Sequence, residues 1–189
     1  MQCAYRTQVG AGSSLREFIP PGNYVTVPHS GMWVNDPMTD VSTAETNKEV
    51  VTRWWREFWS ALNPRIVDEL AAEDIRWYYP LAGEVRGREE VKKRLIGYRE
   101  RFPEGGFELT DELIAEGDRV VALWEGGGTH TGRSWELPVG TLPEASGATA
   151  QYTGTTVFTV HDGAITEEHG QADYFGVLKQ LGLIEPSTE

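Results

Sequence analysis

Residues 149–182 read TAQYTGTTVFTVHDGAITEEHGQADYFGVLKQLG, and they carry strong local signals of secondary structure. Two runs of alternating polar and apolar residues flank Asp162 and Gly163, and an Asp-Gly pair between such runs is a strong signal for a β-hairpin. A short amphipathic helix is predicted to begin near Tyr174 and to end at Gly182. The sequence therefore predicts a hairpin followed directly by a helix at the end of the domain.

The segments upstream of the hairpin divide into helices followed by strands. Helical spacing of apolar residues predicts helices over residues 47–63, 66–73 and 87–102. The first helix is predicted to be capped by Thr46 or Asn47. Strand patterns occur over residues 74–80, 107–116, 119–132 and 134–140. This order is typical of an α+β fold in which helices gather on one face of a curved antiparallel sheet. Such a sheet leaves a pocket beneath the helices, where a small apolar ligand can bind.

Composition and charge exclude several classes of function. The chain has 189 residues and a net charge of −12, whereas a nucleic-acid site needs clustered Lys and Arg. Because Cys3 is the single cysteine, we expect no internal disulfide and no cysteine zinc site. No pair of histidines has the spacing of a metal site. No apolar run is long enough to span a bilayer, and the N-terminus lacks the apolar core of a signal peptide. We therefore predict a cytoplasmic protein without metal that binds neither nucleic acid nor membrane.

The first part of the chain differs in composition from the rest. Residues 1–45 are rich in Pro, Gly, Ser and Thr without a sustained period, which predicts a disordered or loosely packed arm. The alternative is an arm that packs on a partner subunit through Phe18, Tyr24 and Trp33. Met38 is a candidate natural start, in which case the residues before it are an extension. The folded domain is predicted over residues 46–184, followed by a tail at residues 185–189.

Four segments, taken in order, make the chain similar to a known family. They are RWWREFW (53–59), RFPEGGFELTDELIAEGDRVVALWEGGGTHTG (101–132), TGTTVFTVHDGAITEE (153–168) and DYFGVLKQLG (173–182). Over residues 47–184 the chain resembles the SnoaL-like polyketide cyclases, which share a superfamily with ketosteroid isomerases and limonene epoxide hydrolase. The resemblance implies a cone-shaped, curved antiparallel sheet that encloses a pocket behind N-terminal helices. It also implies a small hydrophobic or aromatic ligand, no cofactor and a homodimer.

The resemblance further implies a catalytic residue. In the cyclases an aspartate on the last strand deprotonates a polyketide methyl ester and drives an intramolecular aldol ring closure. The aspartate of that motif falls on Asp173. The family's alternating Ile, Glu, Trp and Asp fall on Ile165, Glu167, His169 and Asp173, so His169 replaces the tryptophan. Many relatives carry an arginine where this chain has Leu123. Both replacements are expected in the wall of the pocket.

Strand alternation gives these residues a shared face. Without a bulge, Ile165, Glu167, His169, Gln171 and Asp173 lie on one side of the strand. If Ile165 points into the core, the polar side chains point into a cavity, where a carboxylate loses hydration and its pKa rises. Such a carboxylate suits a general base near neutral pH. The alternative is that the Asp173 carboxylate caps the helix that follows, since Asp is a favoured N-cap residue.

Further side chains are candidates for contact with the substrate. His169 could donate a hydrogen bond to a developing enolate oxygen, or it could fill the space of the replaced tryptophan. Tyr152 could supply an oxyanion donor through its hydroxyl. The residues predicted to bind substrate are Glu167, Gln171, Tyr152, Tyr78, Trp124 and Trp55. For the aromatic ones the alternative is burial in the core. His130 is either a donor at the pocket mouth or a turn histidine at the surface.

The sequence leaves three functions open. The first is a polyketide cyclase-like lyase or isomerase, with Asp173 as general base and with His169, Gln171 and Tyr152 orienting the substrate. The second is a hydrolase of the limonene-epoxide type, in which an arginine bridges the carboxylates that activate water, and Leu123 counts against it. The third is a small-molecule-binding or dimerisation module without catalysis.

Overall fold

Helix α1 begins earlier than its apolar pattern predicts. The computed structural model describes residues 37–185, with side chains from residue 43 onward, and α1 spans Pro37–Trp54. Proline suits the first helical position because its missing N–H would have no partner there. Residues 37–45 of the predicted arm are therefore helical. The rest of that arm and the tail after residue 185 lie outside the described residues.

Asn47 lies inside α1 and does not cap it. Its side-chain amide donates to the carbonyl of Gly117 at 3.0 Å, and the residue is buried. The predicted cap at Thr46 or Asn47 is therefore wrong. The Asn47 amide instead ties the helix to a turn of the sheet.

A π-helical turn, Trp55–Ser60, continues α1 without a break. Its backbone bonds reach five residues back, as in the 3.0 Å bond from the Ala61 amide to the Arg56 carbonyl. In an α-helix, residues five apart are separated by about 140° around the axis, whereas π-helical bonding brings them towards one face. Trp54 and Trp59 can therefore face the same side. The remaining helices are α2 (Ile66–Leu70), α3 (Arg88–Arg101) and α4 (Tyr174–Gln180).

The strands form one large sheet and a separate two-stranded sheet. Their bounds are β1 Ala71–Tyr79, β2 Gly83–Arg86, β3 Gly106–Leu109, β4 Ile114–Glu116, β5 Arg119–Thr129, β6 Trp135–Leu137, β7 Gly140–Leu142, β8 Thr149–His161 and β9 Ala164–Ala172. The large sheet has the order β2-β1-β9-β8-β5-β3, with β4 also on β5, while β6 pairs with β7. Among the described strands, β2 and β3 form open edges, so the curved sheet does not close into a barrel.

The α+β class is confirmed, but the sheet is mixed and not wholly antiparallel as predicted. β1 runs parallel to β9, and the other strand pairs in the described part of the chain are antiparallel. The parallel pairing places β1, the first strand after the helices, next to the terminal hairpin.

The predicted terminal hairpin is confirmed. β8 and β9 pair in antiparallel orientation across Asp162 and Gly163. Both turn residues have positive φ, 50° and 75°, which is the backbone geometry that an Asp-Gly pair favours in a two-residue turn. Helix α4 follows the hairpin directly, as the sequence predicts.

One irregularity in β9 reverses the predicted faces of its side chains. The pairing with β8 shifts between Thr159 and Val160, so that Thr166 is an extra, bulged residue. Ile165 points into the core as predicted, but beyond the bulge the buried positions are Glu168 and Gly170. The predicted shared face is therefore wrong, because the bulge shifts the alternation by one residue.

The core lies between the helices and the inner face of the sheet, and aromatic side chains dominate it. Trp54 stacks on Phe58 with ring centroids 4.5 Å apart, and Trp55 meets Phe158 edge-on at 6.3 Å. Such pairs add specific geometry to the large apolar area that each ring buries. A smaller apolar cluster includes Val177 of α4, and Tyr152 packs against both clusters.

Candidate active site

An aromatic cavity of about 470 Å³ opens between the helices and the inner face of the sheet. Its volume lies in the ordinary range for small-molecule sites, about 300–1,000 Å³. Its aromatic wall consists of Trp55, Phe58, Trp59, Trp77, Tyr79, Tyr98, Phe102, Phe107, Trp124, Trp135, Tyr152 and Tyr174. Because the aromatic part of the wall offers flat apolar faces, it suits a ligand with a planar ring system.

Tyrosine hydroxyls supply hydrogen-bond donors inside the aromatic cavity. The Tyr98 hydroxyl donates to the Gly127 carbonyl at 3.1 Å. Those of Tyr152 and Tyr174 make no hydrogen bond with any residue between 43 and 185. Burial raises the pKa of all three hydroxyls, so they stay neutral at physiological pH. Tyr152 and Tyr174 can therefore donate to a ligand.

A fully buried carboxylate, that of Glu168 on β9, lies behind the cavity wall. Its Oε1 accepts hydrogen bonds from the Trp59 indole and the Tyr79 hydroxyl, each at 2.9 Å. Its Oε2 accepts one from the Trp54 indole at 2.9 Å. A buried charge is costly unless it is hydrogen-bonded, and these donors satisfy the ionised form of Glu168.

Two opposing effects set the pKa of Glu168. Burial, the larger effect, raises the pKa from 4.5 to about 7, although hydrogen bonds from Tyr79, Trp59 and Trp54 hold it down. The nearby Trp77 indole also lowers it, yet the Trp77 N–H does not reach hydrogen-bond geometry with any described acceptor. The carboxyl group of Glu168 can therefore gain or lose a proton near neutral pH.

A chain of hydrogen bonds runs from Glu168 to β5. Trp124 donates to the Thr156 hydroxyl at 2.9 Å, and the Thr156 and Tyr79 hydroxyls are 2.9 Å apart. When Glu168 is ionised, Tyr79 donates to it and accepts from Thr156. When Glu168 is protonated, Tyr79 is the partner that can accept its proton, because indole N–H groups only donate. Protonation of Glu168 at Oε1 would thus free the Tyr79 hydroxyl to donate to Thr156.

Two backbone irregularities and one glycine bring these groups together. The π-helical turn places Trp54 and Trp59 on one side, and the bulge turns Glu168 inward. Gly170 lets the Tyr79 ring lie against β9, because a Cβ at Gly170 would stand 1.9 Å from Tyr79 Cε1. Regular periodicity signals neither irregularity, so the sequence analysis missed Glu168 and Trp59.

The predicted substrate-binding residues lie in two separate places, the aromatic cavity and the outer face of the sheet. Trp55, Trp124 and Tyr152 lie in the wall of the aromatic cavity. Trp55 comes from the π-helical turn, Trp124 from β5 and Tyr152 from β8. Their contact with a substrate stays a prediction.

Glu167, His169, Gln171 and Tyr78 gather instead on the outer face of the sheet. Most of them line a hollow of about 150 Å³ there, which we call the outer hollow. The Tyr78 and His169 rings are 4.7 Å apart, and Gln171 Nε2 lies 3.4 Å from His169 Nε2. Glu167 pairs with Arg76 at 3.4 Å. Their predicted position in the cavity is wrong, because the bulge turns the β9 residues outward and Tyr78 alternates with inward neighbours on β1.

Leu123 also faces outward. It is 37% exposed, whereas its neighbours Ala122 and Trp124 are buried. The expectation that this residue lies in the pocket wall is therefore wrong, because the inward positions of β5 are the flanking ones.

Asp173 caps helix α4. Its Oδ1 accepts a hydrogen bond from the Gly176 amide at 2.8 Å. The residue is exposed and does not line the aromatic cavity. The capping alternative is thus observed, and a catalytic role for Asp173 stays a prediction.

Replacing Asp173 by alanine is expected to lower the free energy of unfolding by about 1 kcal/mol, whereas asparagine is expected to change it little. Both variants lose the negative charge, but asparagine keeps an oxygen that can accept from the Gly176 amide. Chemical denaturation of wild type and both variants measures the difference. Equal losses in the two variants would contradict a stabilising role for the capping bond.

His130 is buried, so the alternative of a turn histidine at the surface is wrong. Its Nε2 lies 2.7 Å from the Arg133 carbonyl oxygen, and its Nδ1 lies 3.0 Å from the Ser146 hydroxyl. Because a carbonyl oxygen only accepts, Nε2 carries the hydrogen. Both ring nitrogens are therefore engaged within the protein, and His130 fixes the backbone at Arg133.

No cluster of three or more His, Cys, Asp or Glu side chains that could hold a metal ion occurs among the described residues. No helix in residues 37–185 is both long enough and apolar enough to cross a membrane. Cys3 lies outside this part of the chain.

Solved structures of similar fold support this architecture. A candidate SnoaL-like polyketide cyclase from Jannaschia sp. CCS1 is 23% identical with a TM-score of 0.64, and the match covers 76% of this chain and 96% of that one. A candidate polyketide cyclase from Bacillus cereus ATCC 10987 is 23% identical with a TM-score of 0.62, and the match covers 79% of this chain and 89% of that one. A protein from Catenulispora acidiphila DSM 44928 has a ketosteroid isomerase-like fold and was solved in complex with trimethylamine. It is 22% identical with a TM-score of 0.59, and the match covers 75% of this chain and 98% of that one.

A family profile that matches most of the chain shows the family of this protein. None of the curated proteins compared with the sequence matches it. The profile of the SnoaL-like polyketide cyclase family, however, matches residues 49–181. This range runs from the middle of α1 to the end of α4 and includes every strand of the described sheet. The chain therefore belongs to the SnoaL-like polyketide cyclase family.

Proposed function

We propose that this protein is a small-molecule enzyme that uses cofactor-free acid–base catalysis, in an aldol-type cyclisation or an isomerisation of a polyketide-like substrate. The observation that carries the proposal is the ionisable carboxylate of Glu168. It lies directly behind the aromatic cavity and is joined to its wall by the Tyr79 hydroxyl. Membership of the SnoaL-like polyketide cyclase family supports the same class of chemistry.

The aromatic cavity favours a flat substrate that carries carbonyl groups. Its wall presents aromatic faces and edges, which pack well against conjugated rings. The neutral hydroxyls of Tyr152 and Tyr174 can donate to carbonyl oxygens. A polyketide-like molecule combines conjugated carbon with regularly placed carbonyl oxygens, so it matches both features.

The proposed reaction begins when a base removes a proton from a carbon next to a carbonyl group. The electron pair of the broken C–H bond passes into an enolate, whose oxygen accepts a hydrogen bond from Tyr152 or Tyr174. In a cyclisation, the enolate carbon bonds to a second carbonyl carbon of the same molecule, and that oxygen takes up a proton. In an isomerisation, the proton returns at a different carbon. Neither course needs an oxidant or a cofactor.

Two groups are candidates for the base. The family resemblance assigns Asp173, which adjoins Tyr174 of the cavity wall. The geometry supports Glu168, because Tyr79 lies in that wall and donates to it. A substrate proton can then pass to Tyr79 while Tyr79 passes its own proton to Glu168. The pKa of Glu168, about 7, suits a proton acceptor at neutral pH.

The variants Asp173→Asn and Glu168→Gln test the two assignments separately. Loss of the true base is expected to lower kcat about 10²- to 10⁴-fold with little change in ligand affinity. The other variant is expected to keep most of the activity. Aromatic β-keto esters and β-diketones serve as probes, and mass spectrometry after chromatography follows the ring-closed or isomerised product.

The same experiment separates catalysis from binding alone. Full activity in both variants would contradict acid–base catalysis by either carboxylate. If wild type binds the probes without converting them, the protein is a binding module, a function that the capping role of Asp173 favours. Diol formation from epoxide probes would instead support a hydrolase of the limonene-epoxide type.

We also propose that the protein is a homodimer, as the family resemblance implies, and that it is located in the cytoplasm. Light scattering over a range of protein concentrations measures the mass of the assembly. Localisation of the tagged full chain in cells tests the compartment.

A further inference from the structure

An arginine cluster, made of Arg94, Arg101 and Arg133, lies at the wall of the aromatic cavity. Arg94 and Arg101 belong to α3, and Arg133 lies on the loop between β5 and β6. We propose that this cluster is a subsite for an anionic group of the substrate, a carboxylate, so that the ligand is a flat aromatic acid. This inference rests on the proposed function, because it adds a charged end to the substrate of the same cavity.

The guanidinium groups of Arg101 and Arg133 meet over Gly97, which has no side chain. The position of an ideal Cβ on Gly97 is 3.2 Å from Arg133 Nη2 and 3.6 Å from Arg101 Nη2. The Arg101 guanidinium also lies 5.0 Å from the centroid of the Trp135 ring, a contact that attracts the cation. The two donor groups are therefore close neighbours held at one place in the wall.

The positive charges of the arginine cluster are only partly neutralised. Burial lowers the pKa of Arg101, and the charges of Arg133 and Arg94 lower it further, while Glu100 raises it. Glu100 pairs with Arg133 at 3.0 Å. Neither Arg94 nor Glu136, the acidic member of the described cavity wall, forms an ion pair with another described residue. The cluster thus gathers positive charge in a chain whose net charge is −12, and an anion would relieve the repulsion.

One donor of the arginine cluster is buried without a partner. Arg101 Nε has no hydrogen-bond acceptor among the described residues. Leaving a buried donor unpaired costs free energy, and a rotation of the guanidinium towards a bound anion would give this donor an acceptor. Arginine presents its N–H groups in a planar fork that matches the geometry of a carboxylate. A ligand carboxylate would therefore satisfy both the charge and the donors of Arg101.

Backbone hydrogen bonds fix the loop that carries Arg133. The amides of Gly132 and Arg133 donate to the carbonyls of Arg101 and Glu100, each at 3.0 Å, and His130 bonds the Arg133 carbonyl at 2.7 Å. A side chain at Gly132 would collide with α3, since its Cβ would stand 1.8 Å from the Glu100 carbonyl oxygen. Because the loop is already held in place, less conformational freedom is lost when Arg133 binds an anion.

The test compares ligands that share a ring system and differ in charge. Isothermal titration calorimetry of the full chain measures the affinities of 2-naphthoate, its methyl ester and 2-naphthyl phosphate. We expect wild type to bind the acid about tenfold more tightly than the ester, as one hydrogen bond to a charged group would give. Arg101→Gln is expected to abolish this preference without changing the affinity for the ester.

A matched control removes one positive charge from the same helix but outside the cavity. Lys93 lies on α3, pairs with Glu90 and does not line the cavity, so Lys93→Gln is expected to keep the preference for the acid. Arg94→Gln provides a second variant if Arg101→Gln does not fold, and it is expected to weaken binding of the acid alone. The preference is also expected to decrease with added salt.

The outcomes separate this inference from the proposed function. If wild type binds the ester as tightly as the acid, the anion subsite is overturned while the cavity still holds a neutral aromatic ligand. If wild type binds neither compound but converts the keto-ester probes, the anion subsite is overturned while the proposed function stands. If the aryl phosphate binds more tightly than the acid, the assignment to a carboxylate is overturned. Equal weakening of acid and ester in Arg101→Gln would show that Arg101 only shapes the cavity.

Discussion

Glutamine in place of Glu168 is expected to remove a pH-dependent loss of stability that the raised pKa of this group predicts for wild type between pH 4.5 and about pH 7. The pKa of this carboxyl group is about 7 in the folded protein and near 4.5 in an exposed chain. Between these values the folded protein holds a proton that the unfolded chain has released, so a rise in pH favours unfolding. The loss is on the order of 3 kcal/mol, at about 1.4 kcal/mol per pH unit.

The comparison with Glu168→Gln isolates this one group. Glutamine has the shape of the neutral acid but does not titrate, so its cost to packing and hydrogen bonding is nearly independent of pH. Exposed carboxylates titrate in both proteins, and their contributions cancel in the difference. Denaturant unfolding of both proteins across this pH range measures it. Stability curves that stay parallel would show that Glu168 keeps an ordinary pKa despite its burial.

Alanine in place of Gly170 is expected to destabilise the protein by about 3 kcal/mol or more, since overpacking and a lost hydrogen bond to a charged group each cost roughly 1–3 kcal/mol. The new Cβ would stand 1.9 Å from Cε1 and 2.2 Å from Cζ of Tyr79. The ring must therefore move, and its hydroxyl loses its bonds to Glu168 and Thr156. Denaturant unfolding measures the loss of stability.

A double-mutant cycle with Tyr79→Ala identifies the cause of that loss. The three atoms nearest to that Cβ all belong to the Tyr79 ring, so Gly170→Ala is expected to cost much less in the Tyr79→Ala background. An equal cost in both backgrounds would mean that the penalty comes from the β9 backbone itself. Turnover by Gly170→Ala is also expected to fall if Glu168 acts through Tyr79.

Local patterns predicted the elements that depend on neighbouring residues. The Asp-Gly turn between β8 and β9, the following helix α4 and the long helix α3 all form where turn residues and apolar spacing indicate. The family resemblance rests partly on the hairpin and α4 segments and is confirmed. These features could be predicted because each is determined within a few residues along the chain.

The arrangement at the site could not be predicted in this way, because it depends on two departures from regular geometry. The bulge at Thr166 exchanges the inner and outer faces of β9, so Glu168 points inward and His169 outward. The π-helical turn brings Trp54 and Trp59 to one carboxylate although they are five residues apart. Both departures are stabilised by contacts between distant parts of the chain, which no short window of sequence contains.

The aromatic wall of the cavity also allows ligand binding to be followed by intrinsic tryptophan fluorescence. Of the tryptophans that the structure describes, Trp55, Trp59, Trp77, Trp124 and Trp135 line the cavity, and Trp54 lies in the core beside them. Indole emission changes in colour and intensity when water leaves or when a conjugated molecule approaches. A flat ligand that enters the cavity would therefore alter the intrinsic fluorescence of the unlabelled protein. Trp33 lies outside the described residues, and Trp33→Phe would remove its contribution, leaving an emission that arises from the cavity and its immediate surroundings.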